Sequence, residues 1–334
     1  MKIVEASYKV LDRRKLSALE KIEHAARLAY KSEDKITKDS AQVLVSKILE
    51  KEHYPVLEFS NIHVRVRLFD TSDEELARHL LEFYKNTSFF KYLQIDQFEH
   101  EDAEGYFVEL ILSGTVRAFL ESLVPLASID HDSNIITAIL TVLQQGSSKF
   151  PFAVLPFADN SVKPTETQIE CSLVDISYIK DLDEDIYKNH AMVAVHFICN
   201  RAVSHELVRH RPCTFIQESQ RFCNYSADKF GREITFIKPT PFFDEECHDY
   251  QTWVDACYTA EQNYFGLLEN NSPQASRTVL PNSCKTEIII YATITQWEHI
   301  FKMRCASDAE PSMRELMVPL KDEFFNEENK VYWE

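Results

Sequence analysis

Four basic side chains, Arg209, His210, Arg211 and Arg221, fall within thirteen residues of a chain whose formal net charge is −17. Guanidinium groups take a phosphate or carboxylate in a fork of parallel N–H bonds. A hydroxyl beside backbone N–H groups, as at Ser219-Gln220-Arg221, can complete a phosphate cradle. The cluster therefore reads either as an anion site or as a basic loop paired with the surplus of carboxylates. His205-Glu206-Leu-Val-Arg-His210 superficially suggests a zinc site, but its histidines stand five apart. Five residues turn about 140° around a helix, so both imidazoles cannot face one ion, and no metal is expected.

A second cation stands near the C-terminus. Trp297, Ile300, Phe301 and Arg304 share one helical face, which leaves Arg304 at the end of an apolar stripe. Such a position is costly unless an anion or acceptor meets it, although an arginine can also snorkel to water or pair with an acid. The eight cysteines form no CxxC pair and read as free, mostly buried thiols. Only five glycines exist, no two close together, so neither a G-x-G-x-x-G loop nor a Walker A loop can be written. Any nucleotide or flavin is left to side chains and helix ends.

The elements that must position these residues are partly legible. Residues 15–30 and 39–51 carry helical periodicity, and Phe59–Leu68 alternates like a half-buried strand. Ala191–Ile198 reads as a more buried strand leading into a helix that Pro212 should end within Arg209-His210-Arg211. Thr286–Ile294 is β-branched and strand-like, and Thr295-Gln-Trp-Glu298 has capping-box spacing for the next helix.

Between about residues 66 and 187 the character changes. Acidic clusters occur at Asp70–Glu75 and Glu99–Glu104, helices are expected near 73–85 and 134–145, and 144–167 is loop-like. Leu112-Ser-Gly-Thr-Val-Arg-Ala-Phe119 echoes the strand-to-helix corner near the C-terminus, but eight residues do not establish a repeat. No chemistry is legible in this stretch. The division expected is a core of residues 1–65 plus 188–334 and an inserted subdomain, 66–187.

Thirty-six basic residues against 53 acidic ones argue against nucleic-acid or anionic-membrane partners, which need a basic face. No apolar run is long enough to cross a bilayer, and Met1–Tyr8 lacks a signal-peptide core, so a cytoplasmic location is expected.

Arg209-His210-Arg211, seven residues, then Ser219 and Arg221 resembles the signature of the flavin-dependent thymidylate synthases. The longer string from Val203 through Gln217-Glu-Ser-Gln-Arg-Phe-Cys-Asn-Tyr-Ser226 is similar to the variant of one bacterial branch. His53-Tyr-Pro-Val-Leu-Glu58 is similar to that family's N-terminal flavin segment, and Ser276–Glu287 through Trp297–Arg304 resembles its C-terminal substrate segment. The resemblance covers roughly residues 1–64 and 188–325.

It implies an α+β fold, a mostly antiparallel twisted sheet flanked by helices, assembled as a homotetramer. It also implies a reaction in which FAD, reduced by NADPH, serves the transfer of a carbon from methylenetetrahydrofolate to dUMP. Carried onto matching positions, Arg209, His210 and Arg211 would contact flavin, with Arg209 also reaching dUMP. Ser219, Gln220, Arg221 and Arg277 would hold the nucleotide phosphate, with Glu206, Gln217 and Glu218 lining the pocket. Arg304 would be the catalytic cation against the uracil edge. Pro55, Gln217, Thr293, Thr295 and His299 complete the implied flavin contacts.

The departures are Thr293 and Thr295, where the family has Asn and Arg, Gln217 for a usual glutamate, and Pro55 for a hydroxyl residue. The long insertion would cover the site, supply flavin contacts through Arg117, or bind a partner, and these remain open. So do two other functions: methylation or hydroxymethylation of another pyrimidine nucleotide, and flavin or nucleotide binding without turnover.

Overall fold

The computed structural model describes residues 1–69, 73–86, 92–102, 105–129, 134–145 and 169–326. The chain divides into two compact units.

The first unit comprises Met1–Arg14, His24–Ile36 and the chain from Val193 onward. Its four-stranded sheet has the order β2-β7-β10-β8, with β2 Ser7–Val10, β7 Met192–Asn200, β8 Thr214–Gln217 and β10 Lys285–Thr293. Strand β2 runs antiparallel to β7, and β8 antiparallel to β10. A parallel pair, β1 Lys2–Val4 with β9 Thr235–Ile237, stands apart. The helices are the second half of α1 (Ala18–Tyr30), α8 (Arg201–Leu207), α9 (His248–Leu268), α10 (Pro273–Ser276), α11 (Ile294–Arg304) and α12 (Pro311–Phe324). Ile288–Ala292 is buried on both faces, as befits an inner strand. Beneath it Phe197, Trp297, Phe301 and Phe324 stack into one aromatic core, and the Trp297 indole N–H donates to the Val193 carbonyl at 3.1 Å.

The second unit comprises Lys15–Glu23 and Thr37–Met192. Its antiparallel sheet has the order β4-β5-β3-β6, with β3 Asn61–Phe69, β4 Gln94–Asp102, β5 Gly105–Thr115 and β6 Ile169–Leu173. Helices α2 (Ser40–Glu50), α3 (Asp73–Asn86), α4 (Val116–Ile129), α5 (Asn134–Gln145), α6 (Ile176–Leu182) and α7 (Glu184–His190) complete it, with a 3-10 turn at Tyr54–Phe59. One sheet face is apolar, with Ile62, Val64, Val66 and Leu68 buried on β3. The other is polar and carries two hydrogen-bonded networks. Glu109, fully buried, accepts from Arg67 and the Tyr178 hydroxyl, both at 2.7 Å. Ser113 Oγ lies 2.6 Å from Nδ1 of both His63 and His190, and His190 Nε2 lies 2.8 Å from Asp96.

The mixed, largely antiparallel architecture is the α+β fold expected. The helices expected near 73–85 and 134–145 are α3 and α5. The hairpin β4–β5 was not anticipated: its edge strand β4, reading Gln-Ile-Asp-Gln-Phe-Glu-His-Glu-Asp, has too few apolar positions to register as a strand, while β5 is largely buried. Residues 37–65, expected within the core, fall in the second unit. Most of the loop-like stretch, 146–168, lies outside the described residues.

Candidate active site

Asn200 opens α8, its side chain accepting from the Val203 N–H at 2.8 Å. The helix ends at Leu207 and relaxes through a turn in which Arg209 and His210 donate their N–H groups to the carbonyls of Glu206 and Leu207. Pro212 explains the stop: it disfavours helical geometry at Arg211, so the basic triplet leaves the helix axis slightly earlier than the sequence suggested. His205 is exposed beside Arg201, whereas His210 is buried. Among the described residues, no group of three His, Cys, Asp or Glu side chains is placed to hold a metal ion.

Arg304, the last residue of α11, is the hub. Its Nε donates to His210 Nε2 at 2.9 Å, Nη1 to the Glu206 carboxylate, and Nη2 to the Glu206 carbonyl at 3.2 Å. Because His210 Nε2 accepts from an arginine, the ring proton of the neutral imidazole sits on Nδ1. Burial, together with the charge of Arg304 and the neighbouring His299, lowers the His210 pKa to about 4. His299 is exposed and stands edge-on to His210, 6.3 Å between ring centres.

Gln217, at the end of β8, is oriented unambiguously. Ser204 spends its one hydroxyl proton on the Arg201 carbonyl at 3.0 Å, so it can only accept from the Gln217 amide N–H at 2.9 Å. The same nitrogen donates to Thr286 Oγ1 at 3.0 Å, which leaves the amide oxygen turned away from both hydroxyls.

Glu218, expected beside the substrate, is buried within a hydrogen-bonded network. Tyr225 donates to one oxygen at 3.0 Å and Lys285 to the other at 2.9 Å. Lys285 also reaches Glu287 at 2.6 Å, and Glu287 accepts from Lys31 and His196. Burial works against the Glu287 charge, yet the hydrogen bonds from His196, Lys285 and Lys31 hold its carboxyl well below the ordinary range. Sequence reading missed this network, although Lys285 and Glu287 stand two apart on one strand face.

The turn that follows is anchored by the Ser219 N–H, which donates to the Ala29 carbonyl at 3.0 Å. The backbone N–H groups of Gln220 and Arg221 have no backbone acceptor among the described residues, while the Gln220 side chain is buried against Cys284. Arg221 is exposed with its guanidinium over the Phe222 ring. Arg277 is exposed in the short turn before β10.

The guanidinium groups of Arg209, Arg211, Arg221 and Arg277 have no carboxylate partner among the described residues. Arg14, Arg67, Arg117 and Arg232 are all paired. In a chain with this excess of acids, four arginines without a carboxylate partner among the described residues are unusual.

Thr293, not Thr295, caps α11, its hydroxyl accepting from the Gln296 N–H at 3.2 Å. The apolar run of β10 ends at Thr293 and Ile294 is already buried as the first helical residue, so the capping position falls two residues earlier than expected. Thr295 is exposed on the first turn. Pro55 begins the 3-10 turn of the second unit. All eight cysteines are free, and burial raises the thiol pKa at Cys199, Cys213 and Cys284 to about 12, so these three are not activated nucleophiles.

Residues 175–327 match the model of a protein family described as "Thymidylate synthase complementing protein". The chain is 32% identical over 123 residues to the flavin-dependent thymidylate synthase of Geobacter sulfurreducens, covering 36% of this chain and 50% of the relative. It is 29% identical over 153 residues to that of Corynebacterium aurimucosum, covering 43% and 61%. With that of Sulfolobus acidocaldarius it shares 28% identity over 202 residues, covering 60% and 71%.

Over residues 175–327 the chain is similar to the flavin-dependent thymidylate synthases.

Its matches span between 50% and 71% of the length of these three relatives. The family match takes in Arg209–Arg221, Arg277 and Arg304, and so contains every site residue of the first unit named above. Among the described residues of the chain, no helix is long and apolar enough to cross a membrane.

Proposed function

We propose that this chain is itself a flavin-dependent thymidylate synthase, converting dUMP, methylenetetrahydrofolate and NADPH to dTMP, tetrahydrofolate and NADP. The observation that carries the reading is the Arg304 cluster, a cation fixed by Glu206 and His210 in a chain where Arg209, Arg211, Arg221 and Arg277 have no carboxylate partner among the described residues.

Arginine has five N–H donors, and Arg304 directs three of them onto Glu206 and His210. Two remain for the uracil edge, where a permanent positive charge stabilises the N3-deprotonated ring and makes C5 electron-rich enough to attack the methylene donor. Glu206 and His210 fix the guanidinium before substrate arrives, so little reorganisation accompanies the step. Arg221, Arg277, the Ser219 hydroxyl and the free backbone N–H groups of Gln220 and Arg221 hold the phosphate, and Glu218 secures the turn from beneath. The Gln217 amide oxygen, oriented by Ser204 and Thr286, accepts from the nucleotide.

FAD fits the remaining groups. Arg209, Arg211 and the His210 Nδ1–H supply two cations and a neutral donor suited to its phosphates and ring carbonyls, with His299 and Thr295 as further contacts. When bound and reduced, FAD supplies the hydride that completes the methyl group. Thr293 contributes by capping α11. The protein works in the cytoplasm as a homotetramer.

The visible spectrum of the protein saturated with FAD tests the reading. A flavin absorption band that co-purifies or titrates in, and that shifts when dUMP is added, is expected. Absence of both flavin and dUMP binding would contradict it.

A further inference from the structure

The second unit repeats the first. We infer that it is a second copy of the core that carries the active site, retaining the frame and lacking the cations, so that each chain holds one nucleotide site. This rests on the thymidylate synthase reading for the identity of the ligand.

The two sheets have the same order once β4, β5, β3 and β6 are set against β8, β10, β7 and β2. The ladders agree residue by residue. Gln94 pairs Ser113 and Gln97 pairs Leu110, just as Thr214 pairs Tyr291 and Gln217 pairs Ile288. Val64 pairs Leu173 and Arg67 pairs Glu170, just as Val195 pairs Val10 and Ile198 pairs Ser7. Even the bond just beyond each ladder recurs: Val174 donates to the His63 carbonyl at 3.1 Å, and Leu11 to the Ala194 carbonyl at 2.9 Å.

The offset that aligns β3 with β7 continues into the motif. It sets Glu75-Leu-Ala-Arg-His-Leu80 on Glu206-Leu-Val-Arg-His-Arg211, four of six residues identical. His79 and His210 are both buried, at 5% and 8% exposure. After the next strand, Thr115 caps α4 by accepting from the Ala118 N–H at 3.2 Å, as Thr293 caps α11. Phe119 then falls on Trp297, and the buried Glu109 on Glu287. Four-stranded antiparallel sheets are common, but chance does not reproduce order, two ladder registers, two caps and a Glu-Leu-x-Arg-His string together. The first strand of each repeat is exchanged: β2 precedes the first repeat in sequence yet completes the sheet of the second, and β6 does the converse.

The differences fall on the ligand-binding groups. Leu80 stands where Arg211 does, and Leu126 where Arg304 does. Strand β4 runs on to Asp102 where β8 gives way to the Ser219–Arg221 turn, and Phe98-Glu-His-Glu101 offers neither serine nor arginine. No proline follows His79, so α3 continues to Asn86 and Arg78 pairs with Glu75 on its own helix at 3.4 Å.

Equilibrium dialysis of the FAD-saturated protein against dUMP should find one nucleotide per chain. Arg78→Ala should leave dUMP affinity within about twofold of wild type, as for an exposed helix pair. Arg209→Ala should lose about thirtyfold or more. Two nucleotides per chain, or equal losses from the two variants, would overturn the assignment while leaving the synthase reading intact. No dUMP binding at all would overturn the synthase reading and the single site with it.

Discussion

Arg304 and Glu206 meet although they lie far apart in sequence, and what each needs from the other explains why both are half-buried rather than fully so. The guanidinium gains a carboxylate and a carbonyl, yet keeps donors for a ligand. Arg304→Ala should lower dTMP formation about 100-fold to 1000-fold while the flavin stays bound, read as turnover against flavin absorbance on one sample. His210 provides a test by pH. Its pKa falls to about 4 against an ordinary value of 6.5, so between those pH values the unfolded chain binds more protons than the folded one. Stability therefore rises with pH across that window and is lost as pH falls through it. Urea midpoints from pH 4 to 7 should show a shallower slope for His210→Asn than for wild type. The cationic cluster was legible in sequence as residue types and spacing, but the partner that holds Arg304 was not. Nothing in a linear string says that the carboxylate of α8 and the last residue of α11 converge.

At the scale of elements, the β8–β10 pair matters most, since it aligns Glu218 with Glu287 and delivers Ser219–Arg221 at the sheet's end. Lys285 pairs with both carboxylates, the buried Glu218 and the partly buried Glu287. Lys285→Met should cost about 3–5 kcal/mol in urea unfolding, because it leaves Glu218 buried without its counter-ion. It should also weaken dUMP binding, since Glu218 underlies the phosphate turn. Thr293→Ala should cost about 1 kcal/mol for the lost α11 cap. Some helices and apolar strands were readable from periodicity, which reports burial of one face, but α9, α12 and the apolar strand β5 were not read. Polar edge strands such as β4 and short capped helices such as α6 and α7 escaped because their stability comes from pairing and capping rather than from an apolar stripe.

For the whole molecule, the apparent insertion proves to be built on the plan of the core. Sequence alone could not establish this, because the matching strings Glu75–His79 and Thr115–Phe119 require different offsets. The first unit interposes β9, α9 and α10 between its third and fourth repeated strands, and the second does not. Register in the two sheets carries the likeness that side chains have largely lost. His63, in the second unit, has its pKa lowered to about 3, chiefly by burial, with the same sign as His210. Acid should thus destabilise both units, and thermal melts should fall in temperature as pH is lowered from about 6.5 toward 4. The most direct test of the central claim is product formation by purified protein supplied with FAD, dUMP, methylenetetrahydrofolate and NADPH. The expected result is one dTMP for each NADPH oxidised in wild type and near-complete loss in Arg304→Ala with flavin retained. NADPH oxidation without dTMP, or an Arg304→Ala enzyme as active as wild type, would contradict it.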